Sequence, residues 1–169
     1  MSAGALDSRN ARHSRGRRPV MPLAAWVALC VAGAVLVALE FPPDGWFTAL
    51  VTALPRVSVP LLGTLSCLLL ALSGIAAWRV DRSGSAQRRA CALRLFLVQL
   101  ALAFAWLAIL FGGHALGAAL AVMAVLWLAV VSTVVAFCRV DRLAGVLATP
   151  YLAWVTFLFQ QNITLWALN

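Results

Sequence analysis

Tyr151, Trp154, Leu158, Asn162 and Leu165 recur at i, i+3, i+7, i+11 and i+14, and at about 100° per helical residue that spacing places them on one stripe. Gln99, Ala103 and Trp106 share a second helical face in the same way. Indoles, a phenol and amides inside apolar segments are costly in hydrocarbon, so they turn toward other helices or toward a cavity. A cavity walled by such groups suits a flat, mostly apolar ligand, with the amides setting its orientation. Spacing alone leaves a second reading open, in which the Trp and Tyr residues form interfacial belts and the amides join helix to helix. Trp26, Trp78 and Trp166 stand near the ends of apolar runs and are expected in such belts. Pro150 lacks an N–H for the carbonyl of Val146, so a kink is expected beside the fifth-helix stripe.

Other chemistries have little to draw on. Cys30, Cys67, Cys91 and Cys138 are scattered one to an apolar run or its end, without the close pairing that zinc sites use, and read as small packing residues. His13 and His114 stand far apart, and Glu40 with Asp44 reads as a solvated interfacial pair. Neither a phosphate-binding glycine loop nor a carboxylate pair within an apolar run occurs. The reading is of a binding protein rather than an enzyme, with no catalytic residue, metal ligand, required cofactor or nucleic-acid partner assigned.

The elements that carry these residues follow from composition. Hydrophobic residues are 64% and charged residues 11% of the 169, and the mean hydropathy is +0.97, values of an integral membrane protein. Runs near the length of a bilayer span cover about Pro22 to Leu39, Val57 to Trp78, Leu93 to Gly112, Ala115 to Cys138 and Leu143 to Leu168. None alternates with period two, so the fold class expected is an all-α bundle of five transmembrane helices.

All 13 basic residues are arginines, and they fall before the first run, between the second and third, and between the fourth and fifth, apart from Arg56. By the positive-inside rule the N-terminus is cytoplasmic and the C-terminus outside. Residues 1–20 are polar and Arg-rich and are expected to form a disordered cytoplasmic leader, with 21–169 as the membrane domain. Met21 offers a second start. Small residues four apart, Ala24, Ala28 and Ala32, Ala101 and Ala105, and Gly117 and Ala121, permit close helix approach and suggest a homodimer. The absence of Lys beside abundant Ala and Arg suggests a bacterial source, and hence the cytoplasmic membrane.

From about Met21 to Asn169 the chain resembles the TspO/MBR family, the translocator or tryptophan-rich sensory proteins. Pro150-Tyr151-Leu152-Ala153-Trp154 with Asn162 is similar to the family's fifth-helix signature, and Gln99 to Leu102 with Trp106 and Phe111-Gly112 to its third helix. Pro43-Asp44-Gly45-Trp46-Phe47 with Leu50 resembles the segment after its first helix, and Trp127 with Asp141 to Leu147 its fourth helix and exit. The resemblance implies a pocket within the membrane for a porphyrin, haem or another hydrophobic small molecule, and a homodimer. It implies ligand-lining roles for Trp46, Phe47, Gln99, Trp106, Trp127, Tyr151, Trp154, Leu158 and Asn162. The function expected is a tetrapyrrole receptor, sensor or carrier; the alternatives are a light-dependent porphyrin-degrading enzyme, or a transporter or structural partner with a degenerate pocket. The chain departs from the pattern at Gly63, where a Trp is usual, at Ala103 and Ala108, at Leu158 in place of a small residue, and in the loop at Ala53 to Arg56, which lacks a Trp-x-Pro-Pro element.

Overall fold

Hydrocarbon offers no partner to a backbone N–H or C=O, so an apolar run that enters it must satisfy its own peptide groups, and a helix does so within one segment. A computed structural model of the chain describes residues 21–40, 45 and 59–168. Among the described residues five long helices occur: α1 (Leu23–Glu40), α2 (Val59–Arg82), α3 (Ala86–Gly113), α4 (Leu116–Val140) and α5 (Arg142–Leu168). Among the described residues no strand occurs. The last four helices are long and apolar enough to cross a membrane, and α1, at 18 residues, is the shortest. This is an all-helical bundle of the integral membrane type. The expected leader, and the loop carrying Trp46 and Phe47, lie outside the described residues.

The helices outrun the apolar segments at the arginine-rich end. α2 continues past Trp78 to Arg82, and α3 begins at Ala86, well before Leu93. Arginine is a good helix former and its long stem reaches water while its backbone stays helical, so polarity does not end the helix there. Gly84 does: it adopts φ +71° in the turn between α2 and α3, a conformation open to glycine at little cost. α5 runs through Pro150 without interruption, and Pro150 itself is exposed.

Packing does not follow chain order throughout. α4 packs most extensively against α3 and α5, and α2 against α1 and α5, while the consecutive pair α2 and α3 meet only lightly. The order around the bundle is therefore α1, α2, α5, α4, α3, with α3 returning to α1. α5 thus lies between α2 and α4, and its buried stripe faces inward.

The core at the arginine-rich end is aromatic. Phe96 of α3 is fully buried between Trp26 and Phe137, with ring centroids 5.9 Å and 5.8 Å away. Trp26 therefore does not belong to a lipid-facing belt, contrary to the expectation from its position. Its ring packs on Phe96, and its indole N–H reaches Asp81 Oδ2 at 3.4 Å, so one end is apolar and the other is satisfied by a carboxylate. Trp166 stays exposed, and Trp78 lies under the guanidinium of Arg82, as interfacial residues do.

One residue pins the corner between α4 and α5. Asp141 donates its backbone N–H to the Phe137 carbonyl at 2.8 Å, closing α4. Its Oδ1 accepts the Leu143 N–H at 3.0 Å, which caps the start of α5. Its Oδ2 accepts both Nε and Nη2 of Arg79 from α2, at 2.9 Å and 2.8 Å. Asp141→Ala loses the cap and the ion pair together and is expected to cost about 1–3 kcal/mol, the pair being partly solvated. Asp141→Asn, which keeps the cap, should lose less; thermal melting of both variants in detergent checks the order.

Candidate functional site

The fifth-helix stripe is real. Tyr151, Asn162 and Leu165 are buried, and Trp154 and Leu158 are partly buried, on the face that also carries Ala144, Ala148 and Val155. Trp154 stacks on Phe157 at 5.3 Å and donates its indole N–H to Ser66 Oγ of α2 at 2.9 Å. Ser66 in turn donates to the Leu62 carbonyl at 2.7 Å, so both the hydroxyl proton and one lone pair are engaged and the indole is held in one orientation. On the exposed side of α5, Trp127 of α4 donates to Thr156 Oγ1 at 2.9 Å, and Thr156 donates to the Leu152 carbonyl at 2.9 Å. Two tryptophans are thus oriented by hydroxyls on the neighbouring helix. Nothing in the sequence singles out Ser66 or Thr156, because a hydroxyl bonded to the carbonyl four residues back is at home on any membrane helix.

The third-helix face holds as well. Gln99 and Ala103 are buried and Trp106 is partly buried. Ala103 and Ala108 offer methyl groups only, so the polar atoms of this face come from Gln99 and Trp106. Gln99 Oε1, Trp106 Nε1 and both amide atoms of Asn162 are buried without a hydrogen-bond partner among the described residues. A buried polar atom left unpaired costs about 1–3 kcal/mol, and four on two helices are not explained by helix-to-helix bonding. α3 and α5 both start at the arginine-rich end, so a rise of about 1.5 Å per residue puts Trp106 and Asn162 about 30 Å from it. Gln99 sits about 10 Å nearer that end, level with Trp127 and Trp154. Trp106 and Asn162 thus occupy the far half of the bundle, away from every described arginine, and Gln99 its middle.

Chemically this set can accept and donate hydrogen bonds to a neutral edge and stack against flat rings. Among the described residues no group of His, Cys, Asp and Glu is placed to hold a metal ion. Gly63 lies exposed on α2. Of the predicted site's described aromatic side chains, Trp106 stands on α3, Trp127 on α4, and Tyr151 and Trp154 on α5.

The family model for the TspO/MBR family matches residues 22–167. The chain belongs to the TspO/MBR family. A tryptophan-rich sensory protein of Cereibacter sphaeroides is 35% identical over 147 residues, covering 85% of this chain and 89% of its own. Protein CrtK of Rhodobacter capsulatus is 34% identical over 150 residues, with the same coverage. The human translocator protein is 36% identical over 92 residues, 54% of each chain. As a TspO/MBR protein this chain is a membrane protein, in agreement with its helices. All of the third-helix and fifth-helix residues discussed above lie within the matched range.

Proposed function

We propose that this TspO/MBR protein is a membrane receptor, sensor or carrier that binds a tetrapyrrole, porphyrin or haem, or a similarly flat hydrophobic molecule within its helix bundle. The observation that carries the reading is the set of four buried, partnerless polar atoms on Gln99, Trp106 and Asn162. A ligand with a neutral donor and acceptor edge would satisfy them, and Trp127, Tyr151, Trp154 and Leu158 would supply the apolar wall. Trp46 and Phe47 are proposed as further ligand contacts on the resemblance alone. The similarity to a protein named a tryptophan-rich sensory protein supports a sensing role.

The arginine distribution supports an orientation with the N-terminus in the cytoplasm, and the bacterial relatives support placement in the cytoplasmic membrane. Ala24, Ala28, Ala32, Ala101, Ala105, Gly117 and Ala121 are all exposed on the bundle surface, Gly117 beside the Trp166 indole. They would let a second copy approach closely, which supports a homodimer.

The test is a titration of the purified protein in detergent with protoporphyrin, read as quenching of its Trp emission. Saturable quenching at micromolar ligand is expected. Trp154→Ala removes a stacking surface and should weaken binding about tenfold, and Ser66→Ala, which only frees the indole N–H, about threefold. Quenching that rises without saturation, or that is indifferent to both changes, counts against the proposal. Altered export of pigment by a deletion strain without saturable binding would favour a transporter.

A further inference from the structure

Seven arginines of the described chain, from Arg79 to Arg142, gather at one end of the bundle against two carboxylates, Asp81 and Asp141, an excess of five. Both carboxylates are already committed. Asp141 is held by Arg79 and the Leu143 N–H, and Asp81 by the Met21 and Trp26 N–H groups at 3.1 Å and 3.4 Å. Arg82, Arg88, Arg139 and Arg142 are exposed. They flank a single contact: the Gly84 turn between α2 and α3 meets Val140 at the end of α4, where a Cβ on Gly84 would lie 2.9 Å from Val140 Cγ1. The Arg79–Asp141 pair locks the same corner.

The cations do not stand on a water-facing surface alone. On α4 the exposed residues Leu128 and Val135 lead along one face to Arg139, and on α5 Leu143 and Val146 follow Arg142, each about half or more exposed. Apolar surface thus ends in guanidinium groups on two neighbouring helices. Guanidinium pairs match a phosphate in two-point geometry, and an adjoining apolar face matches acyl chains. A free phosphate would use only the first of these features.

From this juxtaposition we infer that the α4–α5 corner, with Arg139 and Arg142 as its centre and Arg82 and Arg88 beside it, is a binding site for an anionic phospholipid. The phosphate sits against the guanidinium groups, and the acyl chains lie along Val135 and Leu128 and along Leu143 and Val146. The site is separate from the ligand site, which lies deeper in the bundle.

The full chain, reconstituted in bilayers holding spin-labelled phosphatidylglycerol or spin-labelled phosphatidylcholine, tests this through the share of each lipid that is motionally restricted by the protein. Phosphatidylglycerol is expected to be preferred about threefold or more, arginine near a membrane surface attracting anionic lipid strongly. The preference should fall toward equality in R139Q/R142Q, weaken without vanishing in R139K/R142K, which keeps the charge and loses the two-point geometry, and survive an excess of inorganic phosphate at constant ionic strength. Equal restriction of the two lipids overturns the site. So does a preference that survives R139Q/R142Q, whether or not R15Q/R17Q/R18Q then removes it, or one abolished by inorganic phosphate.

Discussion

Gly145→Val is expected to leave little folded protein in detergent. A Cβ at this position would overlap Cys138 Sγ and lie 3.0 Å from both the Cα and the N of Cys138. The thiol could rotate away, but the backbone of α4 could not. The added methyl groups would force α4 and α5 apart at the corner that Asp141 pins, and overpacking against backbone costs about 3 kcal/mol or more. Because α4 and α5 form one of the most extensive helix pairs in the bundle, the loss would spread beyond the corner. Folded yield by size-exclusion chromatography measures it. Gly63→Ala is the matched control: a Cβ there meets nothing within 4 Å, and alanine in place of an exposed helical glycine should add about 0.5–1 kcal/mol. Opposite signs at two glycines of one protein are the expected result.

The second large effect joins stability to binding. Gln99 and Asn162 are 3% and 2% exposed, and their unpaired amide atoms burden the ligand-free protein. Replacing a partnerless buried polar group by an apolar one of similar shape relieves about 1–3 kcal/mol. Gln99→Met and Asn162→Leu should therefore raise the melting temperature of the ligand-free protein. The same changes remove the groups that would meet the polar edge of the ligand. With each lost hydrogen bond worth about 0.5–1.5 kcal/mol, the double variant should bind protoporphyrin tenfold or more weakly, read by equilibrium titration. A residue that only tied helices together would move both quantities in the destabilising direction, whereas a gain in stability with a loss of function marks a binding site.

The buried stripes of α3 and α5 were legible because a helix repeats its faces at a constant angle and hydrocarbon penalises polar groups. Those two facts place Gln99, Tyr151, Trp154 and Asn162 inward with no knowledge of their neighbours. Trp26 was not legible: its distance from the end of an apolar run says nothing of Asp81 and Phe96, which reach it from α2 and α3. The same holds for the tight crossings. Small-residue spacing points to columns such as Ala24, Ala28 and Ala32, yet these are exposed, and the close approaches fall at Gly74 against the backbone of Trp26 and Val27, and at Gly145 against Cys138. Which small residue is used depends on which helices become neighbours, and α5 inserts between α2 and α4 without any local signal. Ser66 escapes for a like reason, being ordinary on its own helix and distinctive only beside Trp154.

On the proposed function, the unpaired amides of the bundle exist for a ligand. Four melting curves test it most directly: the protein and its Asn162→Leu variant, each with and without saturating protoporphyrin. A higher melting temperature is expected for the variant without ligand, and a rise on adding ligand that is large for the parent protein and small for the variant. A variant that melts lower without ligand, and gains as much from protoporphyrin as the parent does, would contradict it.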